Sequence, residues 1–225
     1  MNLKQMTIVM TLVATGATAC NGEGTQLETM GTAEASNKNA ADRTDEKKAF
    51  PSSVRLMNTY GDKLTFRELS TISGVDCKDP DKGLGCETGN YEVGDYSDVE
   101  LSPDCDQHGH FAAVTNKNGA VLRDRAPPQD TVSLATLSEG QLVCIQATAH
   151  VKGMPISYYV VAVPIDSLQV CSETPRCAKY GGRKVEWHVK HEGAACKSDG
   201  LWNFSGVCAA GWVRTDDLDA HLNGF

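Results

Sequence analysis

No stretch of this sequence is long and apolar enough to cross a bilayer as a stable helix, which takes roughly 20 apolar residues. The nearest approach, Met6 to Thr18, is uncharged but short and only weakly hydrophobic. There is no Lys/Arg cluster of the kind that tracks phosphates, and the formal net charge is −8, which argues against nucleic acid as a partner. No Cys-x-x-Cys pair occurs. The two closest cysteines, Cys171 and Cys177, stand further apart than the roughly two-to-four-residue spacing of structural zinc sites. No Gly-x-Ser-x-Gly nucleophile motif is present. Asp79-Pro80-Asp81-Lys82-Gly83 begins like a calcium loop, but the Glu that completes an EF-hand is missing at the required offset, and a Pro-Asp turn accounts for the residues. No cofactor is expected.

What the chain does have starts at its N-terminus. Lys4 followed by Met6–Thr18 reads as an export signal over residues 1–19, ending in Ala17-Thr18-Ala19-Cys20. Two readings fit that ending. Ala17 and Ala19 suit an ordinary signal-peptidase site, while the same residues resemble a bacterial lipobox in which Cys20 receives a diacylglycerol; Ala17 stands where a lipobox usually has Leu. The cysteine count favours the lipobox. Nine cysteines are an odd number for an exported chain, and a lipid on Cys20 leaves an even eight: Cys77, Cys86, Cys105, Cys144, Cys171, Cys177, Cys196 and Cys208. So many cysteines without zinc spacing imply an oxidising compartment and disulfides, although eight cysteines allow about a hundred pairings and the sequence selects none. Asn21 is not the Asp that resembles an inner-membrane retention signal. The expected address is therefore the cell envelope of a bacterium, on the outer membrane if the organism is Gram-negative.

Residues 20–49 are rich in Gly, Thr, Ala, Glu, Asn and Lys and nearly devoid of large apolar side chains. Such a composition cannot offset its ordering entropy and predicts a flexible tether after the lipidated cysteine. Residues 50–110 are expected to form a disulfide-rich β extension. Val54–Tyr60, Gly61-Asp62 and Leu64–Phe66 suggest a hairpin, Phe66–Ile72 suits one or two helical turns as well, and Ser73–Asp95 reads as an irregular loop pinned by Cys77 and Cys86. Further on, short apolar runs alternate with turn signals. Phe111–Thr115, Ala120–Arg123, Thr131–Leu137, Gln141–Ile145, Ser157–Val163 and Gly211–Arg214 read as strands, with Asn118-Gly119 and Ser138-Glu139-Gly140 as turns. Thr215 is a candidate N-cap for a closing helical turn. The fold class is mainly β, a small barrel or sandwich.

Four pieces in order resemble the bacterial SH3-like (SH3b) domain: Ala120-Val-Leu-Arg123 with Ala126-Pro127; Thr136-Leu-Ser-Glu-Gly140 before Gln141–Ile145; Tyr158–Val163; and Gly211-Trp-Val-Arg214 running to Leu218. The resemblance covers residues 111–225 and implies a small SH3-like barrel. Residues 164–210 intervene where the family has a short turn, and with Cys171, Cys177, Cys196 and Cys208 they read as a disulfide-stapled insertion, with a hairpin at Arg183–Lys190. The family's usual asparagine in the first motif is absent, so its ligand-binding residues do not carry over.

The candidate binding surface is aromatic: Tyr158, Tyr159, Trp187, Trp202 and Trp212. Trp212, in Gly-Trp-Val, reads first as a core or groove residue of the barrel, whereas Trp187 and Trp202 equally suit a small core packed on disulfides. His108 and His110, two apart on one strand face near Asp104 and Asp106, are weak metal candidates beside the plainer reading of a polar loop held by Cys105. His188 and His191 read as a strand edge. The expected function is non-catalytic, an envelope-anchored module that binds peptidoglycan or an envelope protein. One alternative is a periplasmic inhibitor or immunity lipoprotein that presents the acidic run Glu92–Asp106 to a basic hydrolase or toxin. A cell-wall or metal-dependent hydrolase ranks last.

Overall fold

A computed structural model describes residues 63–105, 110–127, 131–164, 179–198 and 203–222, all within the compact unit Lys48–Phe225. The protein is mainly β. Helix α1 (Phe66–Ser73) comes first, then β1 (Asp76–Asp79), β2 (Leu84–Thr88), a 3-10 turn at Tyr91–Val93, β3 (Ser97–Leu101), β4 (His110–Val114), β5 (Ala120–Arg123), β6 (Ser133–Leu137), β7 (Leu142–Val151) and β8 (Met154–Ala162). Short strands β9 (Val185–Trp187), β10 (Lys197–Ser198) and β11 (Phe204–Ser205) lie in the insertion, before β12 (Ala210–Arg214), a 3-10 turn at Thr215–Asp217 and β13 (Leu218–Leu222). None of the helices among the described residues is long and apolar enough to cross a membrane.

Leu64–Phe66 is not a strand, contrary to the hairpin expected there, and Val54–Tyr60 lies outside the described residues. Thr65 and Glu68 form a capping box: the Thr65 hydroxyl accepts from the Glu68 N–H, and the Glu68 carboxylate accepts from the Thr65 N–H at 2.9 Å. This satisfies two otherwise orphaned donors and starts the helix. The bond to the Thr65 backbone also holds the Glu68 carboxyl below its ordinary pKa. Gly74, at φ +70°, ends the helix in the left-handed region. The segment after it is more regular than the loop expected for Ser73–Asp95. β1 and β2 pair antiparallel with Cys77 directly opposite Cys86, and the two are disulfide-bonded. Asp79-Pro80-Asp81-Lys82 turns between them, with Asp81 held by a bidentate Arg67 at 2.6 and 2.7 Å.

One open sheet contains eleven of the thirteen strands among the described residues, with the path β1-β2-β3-β7-β8-β12-β5-β6-β9 and with β13 joined through β4 to β7. Among the described residues the path does not close on itself. Strand β7 is twice as long as expected, because one of its edges serves two neighbours in turn. Residues 142–145 pair with β4 and residues 147–150 pair with β3. The change-over falls at Gln146, where the register shifts against β8. The extra residue there forms a bulge, the usual device for redirecting a strand. Gln146 also pins the chain crossing beside it: its carbonyl accepts from the Ser102 N–H at 2.7 Å, and its side-chain amide donates to the Pro103 carbonyl at 3.3 Å. The expected boundary at residue 110 therefore falls inside a shared sheet, because β3 and β4 pair with successive stretches of one edge of β7.

Both faces of the sheet are buried, which explains the runs of apolar residues in β7 and β8 where strict alternation would mark a half-exposed sheet. One face carries Ala112, Leu122, Leu137, Val143, Ile145, Val160 and Val213. On the other face, Cys144 and Val161 are covered by Phe204 and Cys208 of the insertion, and Ala147, Ala149, Tyr159 and Trp212 by Leu69 and Val75 of the N-terminal extension. Disulfides hold these covers: Cys105–Cys144 at the sheet and Cys196–Cys208 in the insertion. Cys171 and Cys177 lie outside the described residues, as does Cys20.

Three further expectations change. The hairpin at Arg183–Lys190 is a single strand, β9, paired with β6. Thr215 is not an N-cap; Arg214 holds that position without a side-chain bond, and the Thr215 hydroxyl donates to the Ile156 carbonyl at 3.5 Å. The chain continues past that turn into β13, which pairs with β4.

Candidate functional site

The five aromatic candidates do not form one surface. Trp212 is fully buried and Tyr159 is 5 % exposed. β12 pairs Trp212 with Tyr159 of β8, and their rings meet edge to face at 5.6 Å. The indole Nε1–H donates to the Ser73 carbonyl at the end of α1, at 2.8 Å. Gly211 makes this fit: a Cβ there would stand 2.8 Å from the Arg123 carbonyl of β5, so only Gly lets β12 approach so closely. Both aromatics are thus interior residues that join α1 to the sheet, which corrects their assignment to a binding surface. Burial here removes the free face that a ligand would need.

Tyr158 and Trp187 lie on the opposite side, half-buried against the other core. Burial pushes the Tyr158 phenol above its ordinary pKa. The indole of Trp187 stacks on His191, with centroids 4.3 Å apart. That stack and the core contact cover much of the ring. Trp202 lies outside the described residues.

His108 is outside the described residues, and His110 begins β4 opposite Ile145. Nearby Asp104 pairs with Lys63 at 3.7 Å, and Cys105 is in its disulfide. His188 contacts the Thr136 hydroxyl through Nε2 at 3.1 Å. Among the described residues no group of three His, Cys, Asp or Glu side chains is placed to hold a metal ion.

The acidic run gains the most from the fold. β3 turns Ser97, Val99 and Leu101 inward, and Asp98 and Glu100 outward. Pairing places Asp98 directly opposite Glu87 of β2, an arrangement that is unfavourable for two like charges. Tyr96 moderates it: its hydroxyl lies 2.9 Å from Asp98 Oδ1 and 3.2 Å from Glu87 Oε2. The bond to Asp98, helped by desolvation and by Glu87, pushes the Tyr96 phenol up to about 12. Tyr91 meets the Tyr96 ring edge to face at 5.3 Å and is 80 % exposed. Its turn is tightly bonded: the Asn90 side chain accepts from the Glu92 N–H, and Asp95 accepts from the Asn90 N–H at 2.6 Å. The result is a large exposed aromatic standing on a fixed, acid-lined support. The acidic run was visible in the sequence, whereas Tyr91 and Tyr96 were missed. The i, i+2 spacing of Tyr96 and Asp98, at the start of an alternating strand, was the available signal.

No protein-family model, curated protein or solved structure matches this chain.

Proposed function

We propose that this protein is a non-catalytic binding module of the bacterial envelope, anchored through a lipid on Cys20, that grips a basic surface of an envelope protein through Tyr91 and the acidic face of β2 and β3. The observation that carries this reading is Tyr91 itself. Large aromatics exposed to this degree are costly to leave unpartnered in number and are enriched among residues that dominate protein interfaces. Here the aromatic stands against Tyr96, whose hydroxyl lies between the carboxylates of Glu87 and Asp98. Residues 63–105 carry ten Asp or Glu against four Lys or Arg, a formal −6. Such a face speeds encounter with a basic partner and selects against acidic ones. Blocking a basic hydrolase or toxin is the sharper version of the same proposal. Binding to peptidoglycan through the aromatic set is the weaker version, because Tyr159 and Trp212 are interior.

The underlying module is read as SH3-like. What supports this is the neighbour path β13-β4-β7-β8-β12, with the β5–β6 hairpin following β4 and a single 3-10 turn following Gly211-Trp212-Val213. What supports the anchor is the cysteine count: six of the eight cysteines beyond Cys20 already pair with one another.

The test is a pulldown from envelope extract with the oxidised full chain, run beside purified peptidoglycan. A protein partner is expected, released by raised salt. Tyr91→Ala is expected to weaken it by ~2 kcal/mol, about thirtyfold, and Asp98→Lys with Glu100→Lys to abolish it. In cells, Cys20→Ser is expected to move the protein from the membrane fraction to the soluble one. Retention on peptidoglycan that survives Tyr91→Ala, with no protein partner, overturns the reading.

A further inference from the structure

The negative overall charge conceals a local excess of cations in the insertion. Residues 179–198 carry five Lys or Arg against two Glu, a formal +3. Arg183, Lys184 and Lys190 are exposed and flank β9 on both sides. In the N-terminal extension Lys63, Arg67 and Lys82 each pair with an Asp. Among the described residues no carboxylate lies within ion-pairing distance of Arg183, Lys184 or Lys190.

The outer backbone edge beside these cations has no partner among the described residues. β9 ends the strand path and pairs only with β6 among the described residues. The His188 N–H donates to the Leu134 carbonyl at 2.9 Å. In an antiparallel ladder the groups facing the partner alternate, so Glu186, like His188, faces β6. The N–H and C=O groups of Val185 and Trp187 then point away from β6, to the side on which no strand among the described residues pairs. Glu186 is the strand's own carboxylate, and its side chain is exposed in the register position opposite Thr136.

The geometry points to this outer edge of β9 as a docking site for an acidic peptide segment in extended conformation, added as a further strand. Backbone bonds to Val185 and Trp187 supply the register, and Lys184 and Lys190 at its two ends select carboxylate side chains over basic ones. This is the general mode of strand addition, in which main-chain bonds give affinity and flanking groups give specificity. The site is separate from the Tyr91 face and does not depend on it. Charges on an edge strand also guard against unwanted pairing, a role that needs no ligand and predicts none.

The experiment uses the oxidised full chain and a fluorescent peptide of alternating Glu and Val, read by anisotropy. Two control peptides accompany it: one with Lys replacing Glu, and one with every backbone amide N-methylated, which keeps the charge but removes the donors on both edges. Saturable binding of the Glu-Val peptide is expected, weakened by salt, and reduced about tenfold by Lys184→Glu with Lys190→Glu. Neither control peptide is expected to bind. Both substituted side chains are exposed and outside the core, so the folded variant is available for the comparison. Failure of the Glu-Val peptide to bind, indifference to the charge reversals, or equal binding of the N-methylated peptide each overturns the proposal. The last result leaves a charge patch without strand addition.

Discussion

Trp212 is the largest fully buried side chain among the described residues, and it does two things at once. Its ring fills the space between the sheet and α1, and its Nε1–H satisfies the Ser73 carbonyl at the helix C-terminus, where carbonyls lack partners of their own. Trp212→Ala is expected to cost ~3–5 kcal/mol in denaturant unfolding of the oxidised protein. Trp212→Phe keeps an aromatic ring but orphans the carbonyl, so a smaller loss of ~1–3 kcal/mol is expected. A cost near zero for Trp212→Ala would mean that α1 is not seated there. The sequence left Trp212 between core and groove. Its Gly-Trp-Val setting identified a strand, but the residue covering it lies 139 positions away, and no local pattern reports so distant a contact. Tyr96 offers a second test at this scale. Its phenol is pushed up to about 12, against 10.0 ordinarily. Unfolded chains therefore release this proton first as pH rises. The stability it contributes is whole below about pH 10 and is lost between about 10 and 12. Phenolate absorbance is expected to show Tyr96 titrating late, beside the buried Tyr158, with Asp98→Asn bringing Tyr96 alone back toward the ordinary range.

At the scale of elements, the disulfides divide by how much chain they close. Cys105–Cys144 spans 39 residues, Cys196–Cys208 spans 12 and Cys77–Cys86 spans 9. Loop-closure entropy gives ~4 kcal/mol for the first and ~3 for each of the others. Paired Cys→Ser variants are expected to follow that order in denaturant midpoint, with Cys105→Ser and Cys144→Ser together the most damaging, since Cys144 is also fully buried. A larger loss at Cys196 and Cys208 would assign the stabilisation to packing of Phe204. The elements themselves were unevenly legible. Ala120–Arg123 was read to the residue, because it has a turn signal before it and arginine at its end. The β1–β2 hairpin was taken for a loop because its residues are mostly polar, Gly-rich and offer Thr88 as their one β-branched side chain, and a cross-strand disulfide supplies what propensity does not. α1 was partly seen, although Thr65 and Glu68 spelled out a capping box at the right spacing.

For the whole molecule, the mainly β class and the disulfides could be read from composition and spacing, whereas the sharing of one strand by two segments could not. β7 looks like a short buried strand because a bulge at Gln146 interrupts its pattern, and only the pairing shows that it continues. The candidate sites followed the same rule. Charge runs were legible as runs, but which of them faces solvent beside an aromatic or a free backbone edge is decided by the sheet. The two ends of that sheet carry opposite formal charge, −6 over residues 63–105 and +3 over residues 179–198.

The bond between Trp212 and Ser73 also sets a timetable. A ribosome delivers the chain from its N-terminus at about 5–20 residues per second. Ser73 therefore precedes its indole partner by 139 residues, roughly 7 to 30 seconds of synthesis at that rate. Throughout that interval Leu69 and Val75 lack the indole that completes their core, and until residues 147–159 emerge they lack the sheet beneath it as well. Cys77 and Cys86 can find each other early, but Cys105 must wait for Cys144. A chain arranged in this way is most vulnerable while it is being made, and whatever escorts it must shield the beginning until residue 212 has emerged.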